Sequence, residues 1–572
     1  MADEIISVNE LDFIPSGSVH PSPDDWRDQF IYFLMVDRFD NNQDGISAYI
    51  PETTPKNRPD TSGGNFQGGN LKGIMRRLDY IKNLGCTAIW LSPIFKNRQE
   101  YDTVYHGYGI QNFLEVDPRF GTLLDLQQLV KKAHQKGIYV ILDIIINHTG
   151  NNWSYPEDVD ALYRPEPYPF GRWRERDSAL GLQIDDAVWP EELQYSHCYK
   201  RLGRIRDFNS AGHDEAVNGD FCDLKELEIR NSAVLDTLIK SYKYWIGAAD
   251  IDGFRVDTVK HMESSETAIF CNAVREYAHR IGKSNFFIYG EVVGDDAILQ
   301  KYIGRNSRRE GTNERFPSLD ACLDFPLYFI LEEVIKGFKY FSELYDRYER
   351  FKTLYADHGA SGQYFVTFVD NHDQMSRPHR RFMHNNNHLK QAILAIGYLL
   401  TSQGVPCIYY GTEQGFDGGG NNDKYVRECM FGSEWGAFKT TGVHFFNPAH
   451  EIYNGISAIA KVRSEQPALR YGRQYFREIS TDGISFGYPI KGNCTLAYSR
   501  ILDTDEILVA LNLDESPRHD CITVDASLTP TGSEMIDILN GGAPLPVRYT
   551  DGRSYINIPL AGHKAAILKR KK

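Results

Sequence analysis

A (β/α)8 TIM barrel, with an inserted small domain after strand 3 and a C-terminal all-β sandwich domain, is the fold this sequence predicts. Three observations lead to it. Eight apolar runs alternate with helical stripes between residues 30 and 410, one strand-to-helix connection is far too long, and the pattern changes near residue 470. Buried strands alternating with helices imply parallel pairing and right-handed crossovers, and eight strands close a barrel. An open doubly wound sheet is the structural alternative.

Residues 1–29 are polar, proline-containing and aperiodic, and read as an N-terminal arm. Strand 1 is the continuous apolar run 30–36, the mark of burial on both faces. Leu71, Ile74, Met75, Leu78, Ile81 and Leu84 recur at steps of three and four and stop at Gly85, which predicts one amphipathic helix with a glycine cap. Strand 2 is 87–91. A helix opens at Thr122 with Asp125 in capping-box position and runs to Gly137, before strand 3 at 138–146. A stripe over 235–246 precedes strand 4 at 251–257, and a helix near 266–281 precedes strand 5 at 286–291. Weaker signals put strands 6 and 7 at 323–330 and 364–369, and a helix over 392–401 leads to strand 8 at 405–410. The barrel therefore takes residues 30–148 and 225–470. Residues 149–224 are too long for a βα loop and are rich in tyrosine and tryptophan, so they read as an inserted domain B on the barrel's C-terminal face. In 471–572, short runs such as 487–490, 495–498, 507–511 and 555–558, separated by Asp, Gly and Pro, predict the sandwich.

The 572 residues include 63 Lys plus Arg and 77 Asp plus Glu, a net charge of −14. That balance argues against a nucleic-acid partner, which needs a basic surface to displace counterions. No apolar stretch approaches the ~20 residues that span a bilayer, so no membrane partner is expected. The N-terminus lacks a signal-peptide pattern and the nine cysteines form no CxxC pair, so a cytoplasmic protein is the expectation, with secretion open if a leader was removed. Aromatic residues make up 13% of the chain, and their faces can stack on sugars as well as fill cores.

Carboxylates collect where barrel strands end. Asp143, with Asn147 and His148, follows strand 3; Asp257 ends strand 4; Glu291 ends strand 5; Asp373 follows strand 7. The C-terminal ends of barrel strands share one mouth, so these acids converge. Arg255, two residues before Asp257, points to the same strand face and can hold that carboxylate ionised. Acids in an aromatic cleft suit glycoside cleavage, where one protonates the leaving oxygen and another attacks the anomeric carbon. Metal hydrolysis is the rival, but neither His-x-His nor His-Glu-x-x-His occurs. Gly418-Gly419-Gly420 lacks the Lys-Ser/Thr of a phosphate cradle.

These motifs resemble, in order, those of the α-amylase superfamily of glycoside hydrolases, over the chain from about Phe30 onward. Asp143 to His148 is similar to its first conserved segment, Gly253 to His261 to the second, Gly290-Glu291-Val292 to the third and Phe368 to Asp373 to the fourth. Tyr105-His106-Gly107-Tyr108 resembles the segment lining subsite −1. The resemblance implies Asp257 as nucleophile, Glu291 as general acid/base and Asp373 as a binder of sugar hydroxyls that stabilises the transition state. It implies that Arg255, His148 and His372 orient the −1 sugar, that His106 and Tyr108 line it, and that Lys260 and His261 sit near subsites +1 and +2. Two departures concern substrate preference: Gly109 replaces a tryptophan common after Tyr108, and Phe221-Cys222-Asp223-Leu224 resembles the family's short segment only loosely.

Calcium is the expected cofactor. Asp40-Asn41-Asn42-Gln43-Asp44-Gly45 alternates oxygen side chains before a glycine, as calcium loops do. The segment Gly63-Gly64-Asn65 resembles the part that completes an N-terminal calcium site in cyclodextrin glycosyltransferases, giving Asp40, Asn42, Asp44, Gly63 and Asn65 as candidate ligands. The resemblance implies a second site at Asn147 and Asp223, near His261. The expected activity is retaining hydrolysis of α-1,4-glucosidic linkages in starch, glycogen or maltodextrins. The alternative is an α-glucan transglycosylase on the same substrates, and the third reading, a non-catalytic barrel, is disfavoured by the intact carboxylates.

Overall fold

The computed structural model describes residues 5–571 except 16, 157–160, 177–178, 184–185, 209–211, 305–316, 355–361, 374–380, 387 and 491. Parts of the predicted arm and of the inserted domain thus lie outside the described residues. Eight parallel strands close the barrel: β1 Ile31–Leu34, β2 Ala88–Leu91, β3 Tyr139–Ile144, β4 Gly253–Val256, β5 Phe287–Gly290, β6 Ala321–Leu323, β7 Phe365–Thr367 and β8 Val405–Tyr409. Neighbours in sequence are neighbours in the barrel, and β1 pairs with β8 through Ile31 and Cys407 to shut it. Val, Ile, Leu and aromatic side chains on these strands are buried almost without exception, which is why they read as continuous apolar runs.

Helices clothe the outside, and their ends follow the local chemistry. The Thr122 hydroxyl accepts from Asp125 N while the Asp125 carboxylate accepts from Thr122 N, so the predicted capping box starts the helix Leu123–Gln135. Gly85 ends a helix at φ +105°, a conformation that favours glycine.

Three expectations need correction. The helix predicted from Leu71 is two, Leu71–Arg76 and Leu78–Leu84, broken at Arg77, whose guanidinium is turned onto Asp40. Strand 6 stops at Leu323, because Asp324 caps a helix, Phe325–Ile335, by accepting from Leu327 N, and Pro326 suits its first turn. Residues 487–490 form no strand beyond a single bridge from Gly487 to Ile479; Pro489 has no N–H to donate. Within the residues read as an N-terminal arm, Val8, Leu11 and Trp26 are buried, and the Trp26 indole stacks on Phe287 at 4.7 Å and donates to Asn285 O.

The long excursion leaves and re-enters through a two-residue antiparallel ladder, His148–Thr149 against Lys225–Glu226. After Glu451–Glu465 the chain forms a six-stranded and a four-stranded antiparallel sheet, with Leu508, Ala510, Ile522, Ile556 and Leu568 packed between them. No helix among the described residues is long and apolar enough to cross a membrane.

Candidate active site

Strand register builds the centre of the barrel mouth. Arg255 on β4 lies opposite Asp143 on β3, and Val256 opposite Gly290 on β5, so the next residues along, Asp257 and Glu291, stand side by side. Arg255 is fully buried and serves all three acids. Its Nη1 donates to Asp143 Oδ1 at 2.9 Å and to Asp257 Oδ1 at 2.6 Å, and its Nη2 lies 2.9 Å from Glu291 Oε2. A buried guanidinium among three carboxyls holds them in place and limits how many can be neutral.

Backbone strain aims one more donor. Thr258 takes the left-handed conformation, φ +48°, which a β-branched residue rarely adopts, and this turns its N–H onto Glu291 Oε2 at 3.1 Å. With Oε2 engaged by Thr258 and Arg255, the proton of a neutral Glu291 belongs on Oε1. Burial pushes Glu291 up to about 8; Arg255 opposes this, and the negative charges of Asp257 and Asp373 add to it. Burial also raises Asp257, but Arg255 holds it to about 6. At neutral pH the pair is therefore one carboxylate beside one carboxylic acid, which can attack on one side and protonate on the other.

A second layer faces them. The Tyr108 hydroxyl donates to Asp143 Oδ2 at 2.8 Å and lies 2.7 Å from His372 Nε2, while Trp90 Nε1 donates to the same Asp143 oxygen. His106 stacks on Tyr108 at 5.7 Å, and His148 lies over Phe221 at 6.4 Å. Burial drives His106, His148 and His372 down to about 3, so all three are neutral donors and acceptors near neutral pH. His261 is likewise lowered to about 4 by burial, with Nδ1 2.7 Å from Ala216 O, and its neighbour Lys260 is half-buried. Gly109 is explained by space: a Cβ there would stand 3.1 Å from Asn97 Oδ1, and one on facing Gly150 would stand 2.4 Å from Gly109 O.

Asp373 differs from the other acids. Arg427 Nη2 donates to it at 2.7 Å, and His372 Nε2 lies 3.2 Å away, so its pKa is lowered despite burial. Arg427 also donates to His372 O and the Tyr105 hydroxyl. Sequence reasoning missed Arg427 because it sits in no motif, beyond β8 on an irregular segment.

The predicted calcium ligands do not gather as donor sets. Asp40 Oδ2 accepts from Arg77 Nε at 2.6 Å and Arg76 Nη2 at 3.1 Å, and Asp40 Oδ1 accepts from Asn42 N. The Asp44 side chain is 99% exposed and pairs with Arg76, and the carbonyls of Gly63 and Asn65 both accept from Arg38. Asn147 donates to Glu226, whereas Asp223 is exposed. Among the described residues no group of three or more His, Cys, Asp or Glu is placed to hold a metal ion.

A parallel barrel whose mouth holds a buried arginine and an unequal pair of carboxyl groups is an arrangement suited to acid–base chemistry. Residues 33–437 match the family described as alpha amylase, catalytic domain, and the chain belongs to that family. It is 32% identical over 475 residues to a beta/alpha-amylase of Paenibacillus polymyxa, covering 81% of this chain and 32% of that one. It is 28% identical over 554 residues to a cyclomaltodextrin glucanotransferase of Niallia circulans, covering 94% of this chain and 67% of the relative. The chain thus spans about a third of the first relative's length. Among solved structures, the α-amylase of Geobacillus thermoleovorans complexed with acarbose superposes with a TM-score of 0.70 at 28% identity, covering 96% of this chain and all of that one.

Proposed function

We propose that this protein is a retaining α-glucan glycosidase acting on α-1,4-glucosidic linkages of starch, glycogen or maltodextrins. The observation that carries this reading is the pair of buried carboxyl groups on adjacent strands, Asp257 hydrogen-bonded to the Arg255 guanidinium and Glu291 pushed further up by burial and the neighbouring acids. Asp257 Oδ1 is held by Arg255, so attack on the anomeric carbon falls to Oδ2. As that bond forms, Glu291 gives its proton to the leaving glycosidic oxygen, and a covalent glycosyl-enzyme results. Glu291, now a carboxylate, takes a proton from the acceptor, which attacks the same carbon and frees Asp257. Neutral His148 and His372, with Asp373 held by Arg427, bind hydroxyls of the reacting sugar, and Tyr108 covers its ring.

Water as acceptor gives hydrolysis, and a second sugar gives transfer; the family's relatives include amylases and glucanotransferases alike. Incubation of the pure protein with maltoheptaose tests the reading. Shorter maltooligosaccharides alone identify a hydrolase, longer or cyclic products identify a transglycosylase, and an unchanged substrate refutes both.

A further inference from the structure

Near both places at which a bound cation was expected, this chain's own cationic side chains meet buried oxygen atoms. At the N-terminal loop the Arg76 guanidinium collects Asp40 Oδ2 at 3.1 Å, Gln43 O at 2.8 Å and Asp44 Oδ1 at 2.9 Å. Arg38 Nη2 collects the other half of the same candidate site, Gly63 O and Asn65 O, each at 3.0 Å. These are the oxygens a divalent ion would gather, already neutralised by planar forks fixed within the fold.

The second place lies where the inserted domain meets the barrel. Lys200, its side chain 2% exposed, donates through Nζ to Val217 O at 2.6 Å and pairs with Glu226 Oε1 at 3.6 Å. Glu226 is fully buried and accepts Asn147 Nδ2 on its other oxygen at 3.0 Å; Oε1 meets Lys200 as an ion pair without a hydrogen bond, and Asn147 Oδ1 has no hydrogen-bond partner in the protein. Asn147 precedes His148, and Glu226 pairs with His148 across the ladder that closes the insertion. One ammonium thus ties the excursion, at residues 200 and 217, to the strand end that presents a histidine to the site.

We infer that Lys200 is a positioning residue doing the bridging work of a cation, as Arg38 and Arg76 do at the N-terminal loop, and that the protein needs no divalent metal at either place. Glu226, not Asp223, is the acid this bridge uses.

Four measurements test this. Elemental analysis of the purified protein should find no stoichiometric calcium, and excess EGTA should leave both melting temperature and turnover unchanged. Stoichiometric calcium, or a melting temperature that falls in EGTA, overturns the inference without any variant having to fold. Lys200→Met removes the charge at similar volume and leaves Glu226 uncompensated, so the melting temperature should fall by at least about 5 °C; a wild-type value overturns the role of Lys200. Lys200→Asp would set a third oxygen-bearing side chain beside Glu226 and Asn147, and its melting temperature should rise with millimolar calcium while wild type stays flat. Indifference of that variant to calcium would show that Lys200 does not stand in a cation's place. None of these readouts depends on which glucan is cleaved.

Discussion

Replacing Glu291 by glutamine should abolish activity and, above neutral pH, make the protein more stable. The amide keeps the volume and accepts from Thr258 N, but has no proton to give, so kcat should drop by about 10³, within the range of one positioned general acid. The stability effect follows from linkage. Glu291 is raised from 4.5 to about 8 in the fold, so between those values the folded state binds the extra proton and stability falls as pH rises. At about 1.36 kcal/mol per unit the full penalty would be roughly 4–5 kcal/mol; with Asp257 relaxing part of it, about 2–3 kcal/mol is expected at pH 9. Thermal unfolding of both proteins from pH 4 to 9 should give curves that coincide below pH 4.5 and separate to a plateau above pH 8, with the glutamine variant melting higher by several degrees. A difference that does not grow with pH would mean Glu291 is not held protonated, and the acid role would have to move elsewhere.

The profile of kcat/KM should be a bell, rising near pH 6 as Asp257 ionises and falling near pH 8 as Glu291 loses its proton; a profile flat across pH 6 would remove Asp257 as nucleophile. Proton NMR of a fresh maltooligosaccharide digest should detect the α-anomer of the new reducing end first, since attack by Asp257 and then by the acceptor inverts twice; initial β-anomer would rule out the covalent intermediate. Arg427→Gln should raise the pKa of Asp373 and cut kcat/KM roughly ten- to a hundredfold, from loss of one charge-assisted hydrogen bond, with the melting temperature in EGTA as insensitive as in wild type. Unchanged kinetics would reduce Arg427 to a packing residue.

The barrel was legible because fully buried strands leave continuous apolar runs, and the acids were legible because strand ends of one barrel converge. Arg255 and Asp257 could be paired from their two-residue spacing alone. The contact from Arg255 to Asp143 needed the register between β3 and β4, which no single strand encodes. β6 misled because Phe325–Ile335 is nearly all apolar, and its helical nature is decided by the Asp324 cap and Pro326 rather than by periodicity. Arg427, Lys200 and Glu226 stayed hidden for a common reason: each acts on a group distant in sequence that only the folded chain brings beside it. The oxygen-rich loop at Asp40 read as a metal site because its spacing says nothing about which cation arrives, and the arginines that do so, Arg76 at a helix end and Arg77 at the break beyond it, lie more than thirty residues later.

The ladder of His148–Thr149 with Lys225–Glu226 makes the inserted domain a module with a single doorway. The chain goes out and comes back side by side, so extra length between the two strands costs little closure entropy. One post bears His148 and the other Glu226, which Lys200 meets from within. A foreign excursion grafted onto this barrel would have to supply a cation beside Glu226 and replace the hydrogen bonds that Trp189 and Glu191 make with Gln111, Phe113 and Ile6.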